Sequence, residues 1–541
     1  MTAKPAQAPR PDLLPLTEAR RRVAADVATL VGALALFALL AALMAPFLPD
    51  DSYITFRYAG HLATGHGLRF NVGEPPVEGY SNFLWIALLA GAARLGMELE
   101  AAAVALGVLA GSLNVALLWW LLRRRGYSGL HLALPVGLLA MAAPLVLYAI
   151  SGMETALFAC LLLALVLMMD GLLARPTVWR GLALGAAGIL AALARPEGVL
   201  ALPVAAVCVL AFEWRRGPER RRALARALLA AGALFAVALV AYHAARIAYF
   251  NDVWPTPFLS KGVVDRSLVD AWIANLRQFF LRQSNYYAPA VYYYLALALP
   301  ALAGVALAGR GRRSVEWTAL ALVAVYAAFY FNFVDWMPGM RYYAPLLGLL
   351  LVPFALLGPQ LRGAAAGRRA DAGYVLLGVT LGLVSLYALA VLRLDSQQLQ
   401  AATQQSQVAL GRWLRENVPA DSTLAMSDVG ATPYYSGLRT LDSNPESLTD
   451  ATIAANGWSS DYFFTVDPDV VVFTAFSLTE PDFYGQHEAL YSMPQFQAAY
   501  ERIGVVRNDW YQDRSYWVFV RRGLAPPVEQ MATFPPGISK R

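Results

Sequence analysis

Charge is what this chain has least of. Of its 541 residues only 15% are charged and 58% are hydrophobic, whereas a soluble domain carries about 25% charged residues. Mean hydropathy is +0.47. The composition therefore points to an integral membrane protein, and many separate apolar segments carry that reading rather than one. Cysteine is equally scarce. Cys160 and Cys208 are the two, each inside an apolar run. Both read as buried packing residues, so neither a disulfide nor a cysteine-metal framework is argued. The chain has no Walker phosphate loop, no Gly-x-Ser-x-Gly and no His-Glu-x-x-His, so ATP hydrolysis and serine or zinc hydrolysis are unsupported. No basic stripe with interleaved aromatics occurs, and no nucleic-acid partner is expected. The net charge of +6 comes from arginines clustered in short loops, so it reports topology first.

What is present is organised around Pro49-Asp50-Asp51-Ser52-Tyr53-Ile54. This run follows an uncharged apolar stretch, residues 27–48, long enough to cross a bilayer as a helix. Two adjacent carboxylates at such an exit are costly near hydrocarbon, so they are candidates for function; a polar stop at the water interface is the plain alternative. The following segment mixes charges, glycines and aromatics up to Trp85, far more than a connector needs.

Arginine counting fixes an expected orientation. Arg10, Arg20, Arg21 and Arg22 place the N-terminal tail, residues 1–26, in the cytoplasm, with the first apolar run as a retained anchor. Arginine clusters near 123–125, 175–180, 215–222, 310–313 and 362–369 alternate with mixed polar loops. The alternation predicts about eleven crossings within residues 27–394, with outer loops at 49–85 and 249–290. Residues 83–95 are apolar but short, and read as lying on or dipping into the membrane; residues 253–289 read as an amphipathic surface stretch. After Leu394 the composition changes. A Gln-rich helical segment, 396–416, precedes strand-like runs at 423–426, 470–474, 503–506 and 516–520. The expected fold class is a polytopic α-helical membrane protein with a soluble extracytoplasmic α/β domain at 395–541. In a bacterial setting this is a multi-pass protein of the inner membrane.

By this topology Asp50, Asp51, Arg57, His66, Glu78, Glu154, Arg195, Glu197, Lys261, Asp335 and Arg341 all fall on the outer side. Each has a plain account when taken alone. Arg195 and Glu197 flank Pro196 and read as a pair at a helix end. Lys261 reads as a snorkelling lysine, Glu154 as a carboxylate at a helix start, and His66 as an exposed loop residue. Together they describe a polar cavity rimmed by acids and bases. Tyr53, Tyr58, Tyr80, Trp85 and Tyr342 are among the aromatics around it. A sugar needs aromatic faces and charged hydrogen-bonding groups, and a lipid phosphate needs Arg or Lys. A transporter of lipid-linked sugars is the alternative, but it would gather its charges near mid-membrane.

The ordered series Asp50-Asp51-Ser52-Tyr53-Ile54, Gly65-His66-Gly67-Leu68-Arg69-Phe70-Asn71, Val77-Glu78-Gly79-Tyr80-Ser81-Asn82, Gly152-Met153-Glu154-Thr155, Arg195-Pro196-Glu197-Gly198 and Asp335-Trp336-Met337 leading to Arg341 resembles the GT-C superfamily of polytopic glycosyltransferases. Within it the series is most similar to the mycobacterial terminal β-(1→2)-arabinofuranosyltransferases. The resemblance implies a polyprenyl-phosphate sugar donor such as decaprenyl-phosphate arabinose, a glycan or glycolipid acceptor of the cell envelope, and inversion at the sugar. It implies a catalytic aspartate at the outer end of helix one, with Asp50 as base and Asp51 as helper. Arg195, Lys261 and Arg341 stand at outer helix ends for the donor phosphate. Arg57, Tyr58, His66, Glu78, Tyr80, Asn82, Glu154, Glu197, Asp335 and Trp336 are the sugar or acceptor candidates. Such a transfer needs one carboxylate to take the acceptor proton and cations for the departing phosphate; retention would need a second carboxylate as nucleophile. No metal-ligand cluster is apparent, so no metal is assigned, and a divalent cation bridging carboxylate and phosphate is left open. The chain is shorter than those relatives, which leaves the acceptor open too.

Overall fold

The computed structural model describes residues 16–524 apart from 45, 215–216, 254, 258–287, 308–313, 334–336, 365–366, 445–446 and 509–513. Most of the expected surface stretch, and Lys261, Asp335 and Trp336, lie outside the described residues.

The first helix, α1 (Leu16–Met44), is built from alanine, leucine and valine and ends earlier than the apolar run. Pro46 and Pro49 cannot continue it. A new helix, α2 (Asp50–Ala63), starts at the aspartate pair. The two carboxylates thus open a separate helix, where acids suit the unsatisfied N–H groups of the first turn. Next come α3 (Phe83–Arg94), α4 (Leu99–Arg124) and the pair α5 (Leu130–Ala140) and α6 (Ala143–Ala149). They are followed by α7 (Thr155–Ala174), α8 (Val178–Ala194), α9 (Ala201–Glu213) and α10 (Pro218–Phe250). Apolar helices Ala288–Leu307 and Ser314–Tyr330 complete the bundle with the segments from Ala344 onward.

Among the described residues seven helical stretches are long and apolar enough to cross a membrane, and eight if α5 and α6, bent by 51°, form one span. Three further expected crossings fall on shorter apolar helices, Val178–Ala194, Tyr293–Leu307 and Ser314–Tyr330. At the α5–α6 bend the Ser385 hydroxyl donates to Met141 O at 2.6 Å and accepts from Ala143 N at 3.2 Å. A broken helix inside an apolar bundle needs such a partner for its exposed backbone.

The bundle has two chemically distinct ends. At one, Asp26 pairs with Arg123 (2.8 Å), Arg125 with Glu316 (2.6 Å) and Asp170 (3.1 Å), and Arg220 with Glu213 (3.1 Å). This is the end where the sequence gathers its arginines. Glu154, Arg195, Glu197 and Arg341 meet at the other, where α7 begins and α8 ends.

The helix Gly367–Thr403 passes through the 394/395 position without a break. It continues as a π-helical turn, Gln404–Val408, and then as Ala409–Asn417. Beyond it lies a five-stranded sheet in the order β2-β1-β3-β5-β4: β1 Thr423–Met426, β2 Arg439–Asp442, β3 Val470–Ala475, β4 Tyr500–Arg507 and β5 Ser515–Arg521. β1 runs parallel to β2 and β3; β5 is antiparallel to β3 and β4. The four expected strands are present. β2, Arg-Thr-Leu-Asp, is the one not foreseen, since charged residues at both its ends leave no apolar run to read. One face of the sheet, with Val471, Phe473 and Phe519, packs on Phe463, Leu490 and Phe496. The other, with Leu424, Met426, Val472 and Val518, shares a continuous core with Leu410, Leu414, Tyr53, Tyr58 and Trp85. That shared core seats the C-terminal domain, called the outer domain for its expected side, on α2 and α3.

Candidate active site

Two side chains of α2 grip a short helix of the outer domain, Ala431–Ser436. The Asp50 carboxylate accepts N–H bonds from Ala431 (2.7 Å) and Gly430 (3.1 Å) at its start. Two turns along α2, the buried Arg57 donates to Pro433 O (2.5 Å) and Leu438 O (2.8 Å) at its far end. Anion at the amino end and cation at the carboxyl end match the short helix's dipole. A Cβ on Gly430 would lie 2.1 Å from Asp50 O, so only glycine allows this approach. Burial, and next the Asp428 carboxylate, raise Asp50 well above the ordinary carboxylate range, against the lowering effect of the two N–H groups.

Asp51 stands apart from this grip. Its side chain is 42% exposed, and Arg341 Nη1 lies 3.9 Å from its carboxylate. Arg341 also donates to the buried Glu154 at 2.8 Å. Glu154 accepts from Asn82 at 3.0 Å and lies 3.4 Å from Arg195. Burial alone would raise Glu154, but Arg341 and then Arg195 outweigh it and bring it down to about 2. Behind them Arg195 donates to Glu197 (2.6 Å), whose carboxylate also accepts from the Tyr330 hydroxyl (2.9 Å). The rings of Phe158, Tyr330 and Tyr342 surround the Arg195 guanidinium. The result is a graded row: Asp51 partly exposed, Arg341 mostly covered, Glu154, Arg195 and Glu197 buried. Opposite charges alternate along it, so each buried ion has a partner.

The remaining expected site residues are placed as follows. The Tyr58 hydroxyl donates to Val77 O (2.7 Å) and accepts from Gly79 N (3.0 Å), fixing the Glu78-Gly79-Tyr80 turn. A Cβ on Gly79 would lie 2.2 Å from Leu448 O of the outer domain. Tyr80 is buried between Tyr58 and Phe250. Glu78 is buried and accepts from Arg246 of α10 at 2.5 Å. His66 is exposed, edge-on to His61. The structure therefore gathers Asp51, Asn82, Glu154, Arg195, Glu197 and Arg341, and separates from them the buried Arg57 and Tyr58 of α2, with Glu78 and Tyr80 packed toward α10. Sequence reading missed Arg246, Tyr330, Arg514 and Tyr516. Arg246 had a signal, a lone cation near the end of an apolar helix; the others had none, because their partners lie far away in sequence. Arg514 (2.8 Å) and the Tyr516 hydroxyl (2.7 Å) both donate to Asp428. Among the described residues no group of three or more His, Cys, Asp or Glu could hold a metal ion.

None of the curated proteins matches the sequence. Residues 393–520 match a domain family of unknown function, DUF8728. Solved structures resemble the whole architecture. ArnT from Cupriavidus metallidurans bound to undecaprenyl phosphate superposes with a TM-score of 0.57 at 14% identity, covering 93% of this chain and 99% of that one. The archaeal oligosaccharyltransferase AglB from Archaeoglobus fulgidus, in complex with an inhibitory peptide and a dolichol-phosphate, gives 0.53 at 13%, covering 83% and 69%. The arabinofuranosyltransferase AftD from mycobacteria gives 0.47 at 16%, covering 91% and 40%, too distant to bear on the sugar. At these identities the likeness concerns the fold.

Proposed function

We propose that this chain, which has the GT-C fold, is an inverting glycosyltransferase that takes a sugar from a polyprenyl-phosphate donor on the outer face of the membrane. The observation that carries the proposal is the half-exposed Asp51 beside Arg341, at the open end of a row of buried, paired charges. Asp51 takes the proton from the acceptor hydroxyl as that oxygen attacks the anomeric carbon. The bond to the lipid phosphate breaks on the opposite side, and the departing phosphate needs a cation. Arg341 is the partly open cation of the row, Arg195 supports it from behind, and Lys261 is retained as a third candidate. Asp50, the base preferred on sequence grounds, has both carboxylate oxygens engaged by the outer domain. It is better suited to holding Asp51 in place.

The sugar that the family resemblance implies is arabinofuranose, carried on decaprenyl phosphate, and the acceptor an envelope glycan or glycolipid. The test is incubation of purified protein with radiolabelled polyprenyl-phosphate arabinose, mannose and glucose, each with and without a cell-envelope extract. Release of polyprenyl phosphate with transfer of label to the extract is expected for one donor. Consumption of none of them would overturn the proposal.

A further inference from the structure

The outer domain carries a second concentration of chemistry, at the carboxyl ends of its parallel strands. With the order β2-β1-β3, the chain leaves β1 for one neighbour and later returns to the other. Open α/β sheets bind ligands at this reversal, outside the strands' carboxyl ends. Here the reversal lies between β1 and β3. Asp428 follows β1, Asn444 follows β2, Phe476 follows β3, and Arg514 enters the same edge at the start of β5. The edge is continuous. Ser427 and Thr474 hydroxyls meet at 3.0 Å, Asn444 donates to Ser427 O at 2.8 Å, and Arg514 pairs with Asp428 at 2.8 Å.

Phe476 and Tyr484 join this edge through Thr474, the one two residues on and the other by its N–H to the Thr474 carbonyl; they are 48% and 50% exposed, with ring centroids 6.3 Å apart. Backbone bonds fasten them, from Phe476 N to Asp482 O (2.8 Å) and from Tyr484 N to Thr474 O (2.9 Å). Two exposed rings on a pinned loop, at a sheet edge that also carries a carboxylate, an amide and a guanidinium, suit a ligand with both flat apolar faces and many hydroxyls. The same β1 loop supplies the Gly430 and Ala431 N–H groups that hold Asp50. A ligand at this edge therefore lies next to the helix that carries Asp51.

We infer that this edge is the acceptor subsite and that its ligand is a carbohydrate chain. The inference rests on the transferase reading, since the acceptor hydroxyl must reach Asp51. A peptide would instead extend the sheet at an outer strand. On the β2 side Asn71 already occupies Thr440, accepting from its N–H at 3.0 Å and donating to its carbonyl at 2.9 Å. On the β4 side the strand is bulged between Arg502 and Gly504.

The test uses the full-length protein in detergent and three soluble probes: an α-(1→5)-linked arabinofuranose hexasaccharide, an α-(1→6)-linked mannohexaose and maltohexaose. Binding is read by saturation-transfer NMR, which needs no turnover. One or more probes should bind, and Phe476→Ala and Tyr484→Ala should each weaken that binding by about tenfold, as expected on removing a contact ring. Trp179→Ala, an 80% exposed aromatic elsewhere in the chain, should leave it at the parental value. Failure of all three probes to bind, or parental affinity in both loop variants, overturns the subsite. Loss of binding in the loop variants of a protein that consumes no donor would uphold the carbohydrate site and sink the transferase reading. Transfer abolished by Asp51→Asn, with parental acceptor KM in both loop variants, would do the reverse.

Discussion

The two adjacent aspartates hold different positions, and that difference can be measured. Asp51→Asn keeps the shape of the side chain and one acceptor oxygen but removes the base. Single-turnover transfer should fall by about 10²–10⁴, with donor binding intact. Asp50→Asn replaces one carboxylate oxygen with an amide that cannot accept from Gly430 or Ala431. Its loss should be smaller and accompanied by faster proteolysis of the outer domain. Equal, near-parental rates in both variants would move the search to Glu154. Arg341→Lys should also cut the rate, because a point charge cannot reach Glu154 and the mouth of the site at once as a planar fork does. The residue types of this row were legible in sequence, since charges at outer helix ends are rare enough to notice. The partners were not. Nothing local distinguishes Arg57, whose acceptors lie at Pro433 and Leu438, from Arg341, whose carboxylates are Asp51 and Glu154.

Among the elements, the contact between α2 and Ala431–Ser436 is one joint between membrane half and outer domain. Gly430→Ala would drive a methyl into the Asp50 backbone, so the joint must open. The expected result is a lower transfer rate together with earlier thermal unfolding of the outer domain, followed by tryptophan fluorescence. Arg57→Gln takes the charged donor from three carbonyls, those of Phe70, Pro433 and Leu438, and each lost bond of that kind costs about 1.5–3 kcal/mol. His487 makes the outer domain sensitive to acid. It is fully buried, bonded to Ser443 at 2.7 Å, and burial lowers it to about 4. The folded form binds fewer protons than the unfolded one between that value and the ordinary histidine range. Stability is therefore present above about pH 6.5 and is lost as pH falls toward 4. His487→Gln should flatten that slope in unfolding curves taken across the interval. Strands were readable here where β-branched and aromatic runs persist, as in β3 and β5. β2 was not, because its register depends on β1 beside it rather than on its own pattern.

For the whole molecule, the two ends of the bundle predict opposite labelling. With Cys160 and Cys208 replaced by alanine, a cysteine at Glu480 should react with a membrane-impermeant reagent in intact cells, and one at Glu219 should not. The reverse pattern would place the candidate site in the cytoplasm. The apolar helices were legible from hydropathy, and the arginine-rich end of the bundle from counting arginines, because the bilayer punishes misplaced charge. The seating of the outer domain was not, because the core joining Leu424 and Met426 to Tyr53 and Tyr58 spans most of the sequence. The uninterrupted passage from Gly367 to Asn417 makes the bundle and the sheet two ends of a screw. One residue inserted after Ser396 would lift the sheet by about 1.5 Å and swing it by about 100°. Four would lift it by about 6 Å yet nearly restore its bearing. Either shift parts the Asp50–Gly430 contact and the shared core, so transfer should fall in every insertion, least in those that restore the bearing, and the steepness of the fall would gauge how far from the bilayer an acceptor can be served.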